Sequence, residues 1–109
     1  MKTFRTLDLA FEFHEQALTL KIVNGYLRDQ LLRAAASVPL NLAEGNAKPS
    51  VKEKKRFYQT AYASVKECQA LFKMLKLSDQ KIIGTADHLG ACIFKLIQSK
   101  ITEIIQPKN

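Results

Sequence analysis

The sequence has no tryptophan, and only four glycines, three prolines and two cysteines. So few glycines and prolines leave few forced stops, and no low-complexity tract or solenoid-length repeat is present. Cys68 and Cys92 stand far apart in no metal-like spacing. They read as small hydrophobes, expected to be reduced thiols in a cytosolic protein. No uncharged apolar run approaches the ~18 residues that span a bilayer, so no membrane partner is expected. The mixed amphipathic segment after Met1-Lys2 is not expected to act as a secretory signal. No Gly-rich phosphate loop and no Ser/His/Asp order appears. Carboxylate-bridged metal bundles use Glu-x-x-His, but His14 is followed by Glu15 and His88 follows Asp87, so neither fits. No metal, cofactor or catalytic residue is therefore expected. Strands of alternating period are also missing.

What is present is positive charge on a helical framework. The formal net charge is +7 and the pI about 9.6, which raises the odds of an acidic partner such as RNA, DNA or an anionic surface. The length fits one domain, residues 1–109, large enough to bury a core without staples.

The spacing predicts four helices. The first runs from Phe4 to Val23, with a seam of Phe4, Leu7, Phe11, His14 and Leu18 and a second stripe of Leu9, Phe13 and Leu20. Asn24-Gly25 is its expected stop. His14 on that seam reads as a satisfied core or interface histidine. The second helix runs from Tyr26 to Glu44, with Leu27, Leu31, Ala34 or Ala35, Val38 and Leu42 inward and Gly45-Asn46 as the stop. The third opens at a capping box, Ser50-Val51-Lys52-Glu53, and carries Phe57, Ala61, Val65, Cys68, Phe72 and Leu75, flanked by Tyr58, Tyr62 and Leu71, to Leu77. The fourth is capped by Ser78-Asp79 and runs to Ile105 before Pro107. Its seams are Ile82, Ala86, Leu89, Ile93, Leu96, Lys100 and Ile83, Ile97, Ile101, Ile104. Gly84 and Gly90 weaken it and are expected to admit a neighbouring backbone.

Short connections force antiparallel neighbours, so the fold class is all-α, an up-down-up-down four-helix bundle. Cys68 and Cys92 are then expected level on adjacent helices, which makes a disulfide geometrically possible. The apolar stripes are wider than one core needs, and an apolar strip on a basic chain predicts self-association.

The most informative segment is Ala36-Ser37-Val38-Pro39-Leu40-Asn41-Leu42-Ala43-Glu44-Gly45. A proline inside a helix removes a hydrogen bond and clashes one turn back, at about 3 kcal/mol. Pro39 is therefore expected to bend the rod, with Ser37 bonding backward to a carbonyl. Glu44 opposes its own helix dipole; it is expected to meet the next turn or to pair with Lys48 or Arg56, with Asn41 joining it, and a plain surface role fits the spacing equally. Lys48, Lys52, Lys54, Lys55 and Arg56 crowd the start of the third helix against only Glu53. Cations there face the positive end of the dipole, a placement that costs stability. Tyr58 and Tyr62 follow and, if exposed, stack on bases. A nucleic-acid surface and a merely solvated face both fit this charge run.

The same segment resembles the signature of small bacterial four-helix bundle proteins, some of them encoded in intervening sequences of large-subunit ribosomal RNA genes. Gln30, Arg33-Ala34-Ala35, Phe57, Ala61, Ser64 and Glu67 extend the resemblance over most of residues 27–77. It is specific in the second and third helices and only hydrophobic in the other two. It implies a ring-like homopentamer and kinship with the accessory variability protein of diversity-generating retroelements, a basic barrel that binds nucleic acid and its reverse transcriptase. It carries no catalytic residues. Pro39, Asn41, Glu44 and Gly45 then look structural: a bend, a polar pair and a cap. The expectation is a non-enzymatic, cytoplasmic, pentameric accessory protein that binds RNA or DNA phosphates through Lys48, Lys52, Lys54, Lys55 and Arg56, with Arg28, Arg33, Lys66, Lys73 and Lys76 extending the surface. The alternative is a ring scaffold that holds a protein such as a polymerase, with the charge aiding solubility. A regulatory or toxin–antitoxin component is a third reading without direct support.

Overall fold

A computed structural model describes the backbone of residues 2–106 and the side chains of residues 5–106. The Phe4 side chain and Pro107, both used above, lie outside the described residues. Four helices, α1 (Lys2–Leu18), α2 (Gly25–Ala47), α3 (Val51–Met74) and α4 (Gln80–Ile105), follow one another through short connections. Each packs on its chain neighbour and α1 closes on α4, giving a four-cornered antiparallel bundle 54 Å long and about 20 Å across.

The core of α2, α3 and α4 follows the apolar spacing. Leu31, Val38 and Leu42 meet Ala61, Val65 and Cys68, and Ile82, Ala86, Leu89 and Ile93 close the far side, all buried. Helix α1 departs from its expected seam. Its buried face is Thr6, Ala10, Phe13 and Ala17, whereas Phe11 is 47% exposed and Leu18 51% exposed. The largest side chains marked the wrong stripe. Small residues, Ala10 and Ala17, face inward here, and Phe13, edge-on to Phe72 at 6.4 Å, is the one large side chain of this buried face.

The helix ends explain further differences. α1 stops at Leu18, five residues before the expected end, where the Thr19 hydroxyl donates to the Gln16 carbonyl at 2.7 Å. A hydroxyl competing for a helix carbonyl favours such ends. Asn24 does not stop α1 but caps α2, its Oδ1 accepting from the Leu27 amide at 3.0 Å. Gly25 then opens α2 with no positive φ. Gly45 is likewise not a stop: α2 continues to Ala47, and extended Lys48 caps it before Pro49. Ser50 accepts from the Glu53 amide at 3.1 Å, and its hydroxyl donates to the Glu53 carboxylate at 3.0 Å. The capping box is thus closed through the Ser50 hydroxyl, with no Glu53 bond to the Ser50 amide. Asp79 Oδ1 accepts from the Lys81 and Ile82 amides.

α3 ends in a Schellman turn, the Leu77 amide donating to Phe72 and the Lys76 amide to Lys73. Its left-handed position, ordinarily glycine, is Lys76 at φ 52°, the only non-glycine positive φ among the described residues.

Candidate nucleic-acid interface

The connection from α2 to α3 brings the negative end of one helix against the positive end of the next. Lys54 sits where these ends meet. Its ammonium donates to the Asn46 carbonyl at 3.0 Å and to the Gly45 carbonyl at 3.5 Å. It therefore serves the C-terminus of α2, where a cation is favourable. Lys48 pairs with Glu44 at 3.7 Å and lies 5.2 Å from the Phe57 ring centroid, which Arg56 approaches at 5.9 Å. Phe57 thus meets two cations, each contributing roughly 0.5–1 kcal/mol of cation–π attraction at such exposure. Lys52 and Arg56 are exposed and Lys55 is half-buried. None of these three joins an ion pair among the described residues, where only Lys48–Glu44 and Lys100–Glu103 form. The five cations predicted from the sequence do come together, but Lys54 and Lys48 are occupied by the fold.

Tyr58 does not meet the condition for stacking on bases, because it is a core residue. It is 2% exposed, and its hydroxyl donates to Asn46 Oδ1 at 2.6 Å. Burial, and after it the Glu103 carboxylate, raises the Tyr58 pKa above the ordinary tyrosine range. Its ring explains Gly45. A Cβ at Gly45 would stand 2.9 Å from Tyr58 Cε1 and 3.0 Å from Phe57 Cβ. Gly45 thus leaves the space that the α3 residues Phe57 and Tyr58 occupy.

The rest of the signature forms a polar seam between the same helices. The Ser37 and Ser64 hydroxyls meet at 2.8 Å, and the Asn41 amide donates to the Ser37 carbonyl at 2.8 Å and to its hydroxyl at 2.9 Å. Ser37 therefore bonds across to α3 and not backward along α2, and Asn41 joins Ser37 and not Glu44. Pro39 is buried inside an unbroken α2. It removes the amide that the Ala35 carbonyl would meet, and this network pins α2 to α3 beside that gap.

The proposed extension of the cluster divides. Lys73 and Lys76 lie at the far end of α3, roughly 30 Å from Lys52 along the helix at 1.5 Å per residue, and Arg28 begins α2 at that same far end. No single compact belt contains them all. Lys55, Tyr62, Lys66 and Lys73 instead share one α3 edge, in steps of seven, four and seven. Tyr62 packs on Phe94 of α4 with ring centroids 5.9 Å apart, and Lys66 lies 5.2 Å over the Tyr62 ring. Phe94 was not singled out in the sequence, because its neighbour comes from another helix.

The thiols are free. Burial, then the Glu67 carboxylate, pushes the Cys68 thiol up to about 12. Cys92 turns instead into an α1–α4 groove lined by Asp8, Glu12, His88 and Lys95, with its sulfur 4.0 Å from the His88 ring nitrogens. Among the described residues no three His, Cys, Asp or Glu side chains converge as metal ligands. No helix there is long and apolar enough to cross a membrane.

A family model described as 23S rRNA-intervening sequence protein matches residues 5–104. The chain belongs to that family. No curated protein and no solved structure matches it. The match reaches from α1 into the last turns of α4, so all four helices belong to the family architecture, including the two in which the motif alone was only hydrophobic.

Proposed function

We propose that this chain is a non-enzymatic, basic nucleic-acid-binding accessory protein of the cytoplasm. It assembles as a homopentameric ring and acts beside an RNA, with a reverse transcriptase as a candidate protein partner. The observation that supports this reading is the set of unpaired cations Lys52, Lys55 and Arg56 at one end of a chain of net charge +7. Repeated around a ring, such a set concentrates positive charge for phosphates, and the binding is largely indifferent to sequence.

The test is fluorescence anisotropy on a structured RNA at several salt concentrations, comparing the wild type with Lys52→Gln/Lys55→Gln/Arg56→Gln. Lys54 is left intact because it caps α2. Removing three phosphate contacts should lower the slope of log K against log salt by about 2–3. An unchanged slope would sink the assignment. Light scattering checks the ring, since a monomer or dimer at binding concentrations rules out the pentamer.

A second reading, a protein–protein scaffold without direct nucleic-acid binding, draws on Phe11 and Leu18 of α1 and Leu40 of α2, which are apolar and exposed. Failure of the wild type to bind RNA at low salt favours it.

A further inference from the structure

We infer that the outer groove between α3 and α4 binds an unpaired nucleic-acid strand, with one base stacked on Phe94. This rests on the nucleic-acid reading above and adds the class of strand and the surface that takes it.

The groove has the two elements that a strand without sequence preference requires, a basic track and an exposed aromatic side chain. Lys55, Lys66 and Lys73 lie on one edge of α3 and span about 27 Å at 1.5 Å per residue. The aromatic pair lies between Lys55 and Lys66. Phe94 is 46% exposed although Tyr62 packs against it, so one ring supports the other while apolar surface stays open to solvent. Lys66 already lies over Tyr62, which places a cation beside the position of a stacked base.

The far end of the track opens into a hollow of about 470 Å³ where Lys66, Lys73 and Lys76 surround Phe72, Leu77 and Ile83. One acid, Asp87, also faces the hollow and is held by Gln69 at 2.9 Å. Lys76 enters it from the left-handed position of the Schellman turn. Glycine is the ordinary residue there, and a lysine holds that conformation against local preference. The strained residue thus carries one of three cations set against a single carboxylate, Asp87, in this hollow. A strand suits this surface better than a duplex does. A stacked base must leave its pair to reach Phe94, whereas a duplex offers only phosphates.

The experiment measures anisotropy of a labelled homopolymer strand of about 12 nucleotides, within the ~4–16 that one small fold covers, against a duplex of equal length. Phe94→Ala should weaken the strand by about tenfold, the order of one lost base–aromatic stack. Duplex binding should not change, and Phe94→Tyr should restore the strand. Lys76→Gly should lower the strand's salt slope by about 0.7, although it relieves the turn and raises the melting temperature, so a loss of binding cannot come from unfolding. Equal strand affinity in Phe94→Ala and wild type would overturn the proposal, as would a change of oligomer mass in Phe94→Ala, which would make this face a subunit contact. If Lys52→Gln/Lys55→Gln/Arg56→Gln abolishes binding while Phe94→Ala does not, the groove is wrong and the nucleic-acid reading stands. If the wild type binds neither strand nor duplex, both fall.

Discussion

Three helical glycines should respond in opposite directions to the same substitution. Gly45, Gly84 and Gly90 lie inside helices and none has a positive φ. Alanine therefore brings each the same propensity gain, about 1 kcal/mol. The space differs. A Cβ at Gly84 meets nothing within 4 Å, and one at Gly90 makes an ordinary contact with Val65 Cγ1 at 3.6 Å. Neither glycine admits a neighbouring backbone, contrary to the sequence expectation. At Gly45 the new carbon meets Tyr58 Cε1 at 2.9 Å, Phe57 Cβ at 3.0 Å and Tyr58 Cδ1 at 3.1 Å. Phe57 Cβ is fixed to the α3 backbone and cannot rotate away. The Tyr58 ring is buried and tied to Asn46. Overpacking of that kind costs typically 1–3 kcal/mol, and the upper end applies because both neighbours are rigid. The balance at Gly45 is a loss of about 2 kcal/mol, and at Gly84 a gain of about 1 kcal/mol. At about 4 °C per kcal/mol for a domain of this size, thermal unfolding by circular dichroism should fall by about 8 °C in Gly45→Ala and rise by about 4 °C in Gly84→Ala. Gly90→Ala should also rise. A Gly45→Ala protein as stable as Gly84→Ala would refute the packing account and return Gly45 to a simple cap.

Lys76→Gly should stabilise the fold by about 1 kcal/mol, the order of the left-handed cost it removes; a lower unfolding midpoint would contradict the strain. The raised Cys68 pKa sets a pH dependence. The folded chain keeps a proton that the unfolded chain gives up, so this stabilisation is whole below about pH 9 and is lost as pH rises toward about 12, at ~1.4 kcal/mol per pH unit. Urea unfolding of wild type against Cys68→Ala across that window should show the wild type alone losing this increment. Ellman's reagent should label Cys92 in the native state and reach Cys68 only on unfolding, since Cys68 is fully buried. Ser37→Ala should cost about 1 kcal/mol. Combined with Ser64→Ala it should fall short of additivity by at least about 0.5 kcal/mol, and strict additivity in chemical denaturation would mean that the hydroxyls do not interact.

The bundle was legible because α2, α3 and α4 carry large apolar residues at helical steps and Ser50 and Asp79 are strong start signals. Asp79 caps α4 as its position promised. What failed was a matter of neighbours. On α1 the stripe with the most apolar bulk is outside, because Ala10 and Ala17 face the core. At Gly45 glycine reads locally as a stop, while its reason is the Tyr58 ring thirteen residues on. Tyr58 and Tyr62 looked alike in sequence. Only the packing of α4 separates them, burying one and leaving the other beside Phe94. The basic cluster was visible as composition, but which of its members are free depends on where the α2 carbonyls point.

That last dependence changes what the charge distribution means. In the sequence, lysines at the start of α3 oppose a helix dipole, which suggests that something other than stability keeps them. In the fold, the start of α3 lies against the end of α2, and Lys54 turns to the Asn46 and Gly45 carbonyls. Lys48 is likewise engaged by Glu44 and Phe57. The two helix ends largely offset one another, so the dipole supplies little evidence for a ligand at this cluster. Lys52, Lys55 and Arg56 keep their weight only as unpaired charge. On the α3–α4 face the balance is reversed. Lys76 holds a conformation that glycine would take at lower cost, and Phe94 leaves nearly half its surface in water. Lys76 gives the bundle no return for that cost, and Phe94, although it packs on Tyr62, keeps an apolar surface in water on the same side of the α3–α4 pair. At Lys76, local cost without structural return is the better sign of a binding surface, and it shifts the expected centre of nucleic-acid contact from the end of the bundle to its side.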